Sequence, residues 1–402
     1  MPQFATRFDA MVPAEASQLL SQAKEMQRQG KNVISLCVGE SDFDTHVVAK
    51  KAAKEAIDAG ETKYAPLAGI HELRQAICKK LKRENGVDYN VENVIASTGG
   101  KQVIFNALMA TLNQGDEVIV PAPYWAGYPD VIRVCGGVPI FVETSEVDDY
   151  ILQPKTLVES ITARTKWMVL NSPSNPTGAV YERADLESVA EVLRRYPDIW
   201  IMADDIYEHV VFDGQEFATL AEIAPDLKDR ILIVNGCSKG YAMTGWRIGY
   251  GAANAELIQR MTTIQSQVTL SPSTISQWAA VKALNDNLAF NDEQIDVLKA
   301  RRDLAVSMLN DANGLSCNRP KGAFYIYVNC EKSLGKATPN GSVIESDRDL
   351  CRYFLEEAEV AVMPGSAYGL SPYFRVSYGI STPELEEACI RIQVACAALI
   401  HE

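Results

Sequence analysis

In VNGCSKGYAMTGWRIGYG (residues 234–251), Lys239 follows the apolar run ILIVNG, and Arg247 stands eight positions on, among five glycines. An amine drawn out of water at such a point holds its proton less tightly and is free to attack an aldehyde. The plain alternative is a surface turn with two solvated charges. Ser238 and Arg247 carry donors suited to an oxyanion. The Gly99-Gly100 turn opens KQVIFNALMATL and offers backbone N–H groups at the positive end of a helix. Together these groups could grip a phosphate. Asp204, ending IWIMAD, could hold a proton on a ring nitrogen, and Tyr207 and Asn175 (in NSPSNPTG) could each bond a ring oxygen. Trp125 in PAPYW offers a flat face for such a ring. Arg375 in YFRVSYG is a fork that matches a carboxylate. Each has an ordinary rival: a turn cap for Asp204, core packing for Trp125, a solvated strand for Arg375. Taken one at a time they do not establish catalysis.

The elements that must position these residues follow a pattern. NVIAST, DEVIVPAP, VPIFVE, KWMVLNSP, IWIMADD and ILIVNG are short apolar runs, separated in most cases by helical stretches such as KQVIFNALMATL and ADLESVAEVLRRY. Strands buried on both faces and alternating with helices predict a mostly parallel α/β sheet covered by helices. Ligands in that architecture gather where strands end, and the ends read GGK, APYW, NSPSNPTG, ADDIY and GCSK. Before this region, EASQLLSQAKEMQRQGK predicts an amphipathic helix closed by Gly30, and NVISLCVG a strand. After about residue 275 come two long helical stretches. GAFYIYVNC, VAVMPG and YFRVSYG then read as strands of a smaller α/β unit, with DRDLCRYFLEE and PELEEACIRIQVACAALI as its helices. The expected organisation is an N-terminal segment joined to part of the small domain (1–45), a large domain (46–290) and a small C-terminal domain (291–402).

Bulk properties narrow the class. At 402 residues the chain suits two domains, and a net charge of −14 argues against general binding to nucleic acid or anionic membrane. No apolar run approaches bilayer length, and the first residues lack a signal-peptide pattern. Nine scattered cysteines without C-x-x-C suit reduced thiols in the cytoplasm. Four distant histidines predict no metal site.

The joint pattern resembles fold type I pyridoxal-phosphate aminotransferases of the aspartate aminotransferase class, in particular the bacterial subgroup. The stretches that carry it are VGESDFDT, ETKYAPLAGIHELR, STGGKQVIFNALMATLNQGDEVIVPAPYW, NSPSNPTGAVY, ADDIYEH, NGCSKGYAMTGWRIGYG, KGAFYIY and FRVSYG, nearly end to end. The resemblance implies a seven-stranded, mostly parallel sheet in the large domain and pyridoxal 5'-phosphate as cofactor. It implies a covalent and proton-carrying Lys239, a ring-nitrogen partner in Asp204, ring-oxygen partners in Tyr207 and Asn175, and a stacking Trp125. Gly99, Gly100, Lys101, Ser238 and Arg247 fall in the phosphate neighbourhood. Gly39 and Arg375 fall at the substrate α-carboxylate, and Trp125 and Asn175 are also implied to border the substrate. Tyr64 is implied to reach the phosphate of a neighbouring subunit, so a homodimer with shared sites is expected. Lys101 matches a residue that receives the substrate's distal carboxylate, and Arg7 matches, more loosely, an arginine near the start of an N-terminal segment that resembles a lid over the site.

The implied reaction is a ping-pong exchange between L-aspartate and 2-oxoglutarate, the cofactor alternating between aldehyde and amine forms. Alternatives are an aromatic, prephenate or broad aminotransferase of the same class, a pyridoxal-phosphate lyase, or a non-enzymatic binding protein. Departures from the subgroup's pattern bear on specificity. Ser41, His46 and His71 stand where prolines are usual, and PAEAS (13–17) replaces the usual lid sequence. Losing a proline loosens a loop.

Overall fold

The computed structural model describes residues 15–400. In chain order the strands are β1 (Ile34–Ser35), β2 (Val94–Ser97), β3 (Glu117–Ala122), β4 (Val138–Glu143), β5 (Thr165–Asn171), β6 (Trp200–Asp204), β7 (Ile231–Gly236), β8 (Gly249–Ala252), β9 (Tyr325–Asn329), β10 (Val360–Ala361), β11 (Met363–Pro364) and β12 (Tyr373–Ser377). Seven of them form one sheet in the order β2-β8-β7-β6-β5-β3-β4. The pairs β3/β4, β3/β5, β5/β6 and β6/β7 are parallel, while β8 runs antiparallel to both β7 and β2. The expected seven-stranded, mostly parallel sheet is therefore present.

The apolar runs are continuous because both faces of the sheet are covered. In β5, Trp167 and Val169 enter one apolar cluster while Met168 and Leu170 enter the other. β6 divides the same way, with Met202 against Ile201 and Ala203. Alternate side chains of a strand point to opposite faces, so a slip of one residue would exchange the two cores. Each fully buried side chain of this size contributes about 1.5–3 kcal/mol.

β8 lies in RIGYGA, a stretch too glycine-rich to read as a strand from the sequence. The packing explains the glycines. A Cβ on Gly249 would lie 2.2 Å from the Gly100 nitrogen, and one on Gly251 would lie 2.7 Å from Val103 Cγ1. The start of the helix Gly100–Thr111 presses directly on this strand, and only glycine leaves room.

The smaller unit holds a three-stranded antiparallel sheet, β11-β12-β9, with the helices Asp292–Asn310, Asp347–Glu357 and Thr382–Ala397. Its core includes Phe324, Ile326, Val328, Phe354, Phe374 and Val376. NVISLCVG yields only the two-residue β1, which pairs with β10. VAVMPG is two strands rather than one, since Val362 separates β10 from β11 and the two join different sheets. The N-terminal helix spans Glu15–Arg28, as its amphipathic spacing predicts.

Candidate active site

The parallel strands deliver their C-terminal ends to one edge of the large sheet. β2 leads to the Gly99-Gly100 turn, β3 to Trp125, β5 to Asn175, β6 to Asp204 and Tyr207, and β7 to Ser238 and Lys239. β8 runs the other way, so the residue two positions before its start, Arg247, arrives at the same edge. β9 and β12 bring Tyr325 and Arg375 from the smaller unit, and the chain beyond β1 brings Gly39. Together they line a cavity of about 590 Å³. Gly100, Lys101, Trp125, Asn175, Asp204, Tyr207, Ser238, Lys239, Arg247, Gly39 and Arg375 all border it. Tyr64 does not: it lies on the surface, 92% exposed. Arg7 lies outside the described residues.

Lys239 is partly buried and its Nζ donates to the Gly39 carbonyl at 2.5 Å. Burial lowers its pKa from 10.5 to about 8, and the nearby Arg375 and Arg247 push the same way. That is the condition for an amine able to act as nucleophile and base near neutral pH. Asp204 is pushed from 3.8 up to about 6, mainly by burial, while the Tyr128 hydroxyl restrains the rise by donating to Oδ2 at 2.5 Å. Asn171 ties the neighbourhood together: Nδ2 donates to the Asp204 carbonyl at 2.8 Å, and Oδ1 accepts from the Asn175 N–H at 2.9 Å.

Arg375 is 5% exposed. Its Nη1 donates to Asn175 Oδ1 at 3.0 Å and its Nη2 to the Cys37 carbonyl, while its Nε is buried without a partner. Its guanidinium sits between two aromatic rings, 4.5 Å from the centroid of Tyr325 and 4.9 Å from that of Tyr368. A buried guanidinium that meets neutral acceptors but no carboxylate has capacity left for an anion. At the opposite end, the Arg247 guanidinium is pressed against Gly99, where a Cβ would fall 2.3 Å from Nη2. Its Nη1 donates to the Thr244 carbonyl at 2.8 Å, and it has no ion pair among the described residues. Lys101 places Nζ 5.0 Å from the Trp125 ring centroid.

Sequence reasoning missed several residues here. Tyr128, on the helix Tyr128–Val134, and Tyr325 both touch the predicted site residues, Tyr325 through a 2.6 Å contact with the Tyr207 hydroxyl. Nothing in their local sequence marks either as more than core. His46 gives a different outcome from the loosening expected of a lost proline: Nδ1 accepts from the Val48 N–H at 3.2 Å and caps the helix Val47–Asp58. His71 begins the helix His71–Asn85. Of PAEAS, residues 13 and 14 lie outside the described residues.

Beneath the β6 loop the fold also assembles Glu84, Glu208 and His209, with ligand atoms within 4.8 Å of one another, a grouping the scattered histidines did not suggest. The Lys80 ammonium lies among them, bonded to Glu208 Oε1 and 3.4 Å from Glu84 Oε2.

Known proteins match this chain along nearly its whole length. Residues 31–392 match the family model "Aminotransferase class I and II". An aspartate/prephenate aminotransferase of Cereibacter sphaeroides is 51% identical over 387 residues, covering 96% of this chain and 97% of that protein. The crystal structure of the aspartate aminotransferase from Rhizobium meliloti superimposes with a TM-score of 0.96 at 49% identity, covering 99% of this chain and all of that one. That of the Thermus thermophilus aspartate aminotransferase with maleate gives 0.91 at 39% identity, over 98% of this chain and 100% of that one. A lysine and two arginines around one cavity, on this fold and with these relatives, place the chain in a family: it belongs to the class I aminotransferases of pyridoxal-phosphate fold type I and is an enzyme of that kind.

Proposed function

We propose that this aminotransferase holds pyridoxal 5'-phosphate in the cavity and moves the amino group between L-aspartate and 2-oxoglutarate. The observation that carries the reading is the cavity's cations. Arg247 and Arg375 stand at different walls, neither with a carboxylate partner among the described residues, and Lys101 borders the same space. Such a lining suits one anion at each arginine and a further carboxylate at the lysine.

The residues fit the cofactor. Arg247, Ser238 and the first N–H groups of the helix at Gly100 would hold its phosphate. Trp125 would cover the ring, Asp204 would keep a proton on the ring nitrogen, and Tyr207 and Asn175 would bond the ring oxygen. When bound, the cofactor supplies an aldehyde for covalent attachment and a ring that takes up the electron pair left when the α-proton departs. Lys239 provides the attaching amine and, once displaced by the incoming amino acid, carries that proton at Nζ. Arg375 clamps the α-carboxylate beside Gly39. Lys101 receives the distal carboxylate. Tyr64, exposed and outside its own cavity, would reach a second subunit's phosphate in a homodimer. A cytoplasmic location belongs to the same reading.

Prephenate is a second keto-acid acceptor under this proposal. It carries two carboxylates, and the Cereibacter sphaeroides relative is named for both substrates. Purified protein assayed with aspartate, glutamate or phenylalanine against 2-oxoglutarate, and with prephenate as acceptor, tests the reading. Lys101→Ala should raise KM for aspartate about tenfold, the scale of one charge-assisted contact, and leave phenylalanine nearly unchanged. Inactivity with aspartate, or release of pyruvate and ammonia without any acceptor, would overturn it.

A further inference from the structure

We propose that the Tyr325 hydroxyl is a positioning group for the reaction: it donates to the Tyr207 oxygen and so leaves the Tyr207 proton directed into the cavity. The inference rests on the functional reading above. The two hydroxyl oxygens are 2.6 Å apart, and both side chains are buried. Each phenol has one proton, and a contact of this length uses one of the two. If Tyr207 supplied it, none would remain for the cavity; a Tyr207 that bonds a ring oxygen therefore requires Tyr325 as the donor.

The surroundings favour that direction. The Arg375 guanidinium lies over the Tyr325 ring, 4.5 Å from its centroid, and a cation there makes the phenol a better donor. Gly39 closes the other side of the hydroxyl: a Cβ at Gly39 would sit 2.1 Å from Tyr325 Oη. Tyr325 comes from β9 of the smaller unit and Tyr207 from the loop after β6, so one hydrogen bond aligns groups from both units. Successive hydrogen bonds polarise one another, so the Tyr325 donation also strengthens the one Tyr207 makes.

Tyr325→Phe keeps the ring under Arg375 and removes only the hydroxyl. A donor to a ring oxygen stabilises its deprotonated form. Weakening that donor should therefore raise the pH midpoint of the bound cofactor's absorbance band, by about half a unit for one cooperative bond. The value of kcat should fall about three- to tenfold, with KM for aspartate changed less than about twofold. In a Tyr207→Phe background the same substitution should leave the midpoint unmoved. A merely structural role would instead lower the unfolding temperature with no midpoint shift in the otherwise intact protein. That result, or an equal shift in both backgrounds, overturns the inference. An unsubstituted protein with no cofactor band sinks the functional reading itself, which separates the two failures.

Discussion

Replacing Lys80 by methionine tests how the fold tolerates charge beneath the site. Lys80 has no solvent exposure and Glu208 only 5%. The ammonium donates to Glu208 Oε1 and to Asn85 Oδ1 at 2.8 Å. Glu208 also accepts from Asn85 Nδ2 at 2.8 Å and from Asn235 Nδ2 at 2.7 Å. One carboxylate thus joins the helix His71–Asn85, the loop that carries Tyr207, and the end of β7 that leads to Lys239. Burial opposes ionisation of Glu208, but Lys80 and His209 outweigh it and hold its pKa below the usual range. Glu84 shows the same contest, brought down to about 2 by His209 and Lys80 against its burial. Lys80→Met removes the ammonium and leaves the buried Glu208 carboxylate with only His209 and two amide donors, which costs up to about 3–5 kcal/mol. The double variant Lys80→Met/Glu208→Gln removes both charges at similar volume and should lie within about 1 kcal/mol of the unsubstituted protein.

The assay is urea unfolding of the cofactor-free protein at several pH values. In the unsubstituted protein Glu208 binds its proton more weakly folded than unfolded. Its contribution is thus present above the unfolded carboxylate range and lost as pH falls through the folded value. In Lys80→Met the sign reverses, because burial, then opposed only by His209 and two amide donors, raises the folded value, and the variant gains stability as pH falls. The gap between the two should therefore narrow from pH 8 to pH 5. A single variant no less stable than the double one, or a gap constant across that range, refutes the reasoning.

Two further outcomes follow from the site. Lys239→Met should abolish exchange yet stabilise the cofactor-free protein by roughly 2–3 kcal/mol at pH 7, allowing for partial solvent screening of a pKa lowered from 10.5 to about 8. The folded state binds fewer protons than the unfolded one between those values, so the advantage should fade towards pH 10; an advantage equal at pH 7 and pH 10 contradicts the burial argument. Gly249→Ala places a Cβ 2.2 Å from the Gly100 nitrogen and 2.3 Å from the Gly99 carbonyl carbon, so β8 and the helix start must part. Cofactor affinity by absorbance titration should weaken at least about tenfold, and unchanged affinity would show that the junction does not shape the phosphate end.

Some of this was legible in the sequence and some was not, for separate physical reasons. The runs from NVIAST to ILIVNG read as strands because burial on both faces demands unbroken apolar residues, and their polar ends then named Trp125, Asn175, Asp204 and Lys239. Arg247 was visible as a cation out of place, but its route to the site was hidden. It depends on β8 running antiparallel, and glycines chosen for clearance carry no strand signal. Tyr128 and Tyr325 look like core aromatics until Asp204 and Tyr207 are found against them. Lys80 was passed over, although Leu73, Ala76, Ile77 and Leu81 form the buried stripe of its helix and position 80 falls within it. The spacing marks a lysine on an apolar face, but only the fold supplies Glu208 from 128 residues away.

Lys80 and Lys239 show how one side chain serves opposite ends within a single fold. Lys80 reaches from the helix His71–Asn85 to the segment after β6 and Lys239 stands after β7, and both ammonium groups lose water. Around Lys80 stand two carboxylates and an amide oxygen, and these contacts tie three segments together. Around Lys239, burial together with Arg375 and Arg247 outweighs the carboxylates of Glu40 and Asp204, so the same amine is driven towards neutrality. Depth alone does not set the outcome, since the lysine held in ion pairs is the more deeply buried of the two. Reactivity at Lys239 therefore depends on Arg375 and Arg247 as well as on burial. A substitution that neutralised either arginine would raise the lysine's proton affinity while also removing an anion contact. Loss of activity in such a variant combines both effects, and only the pH at which the amine titrates separates them.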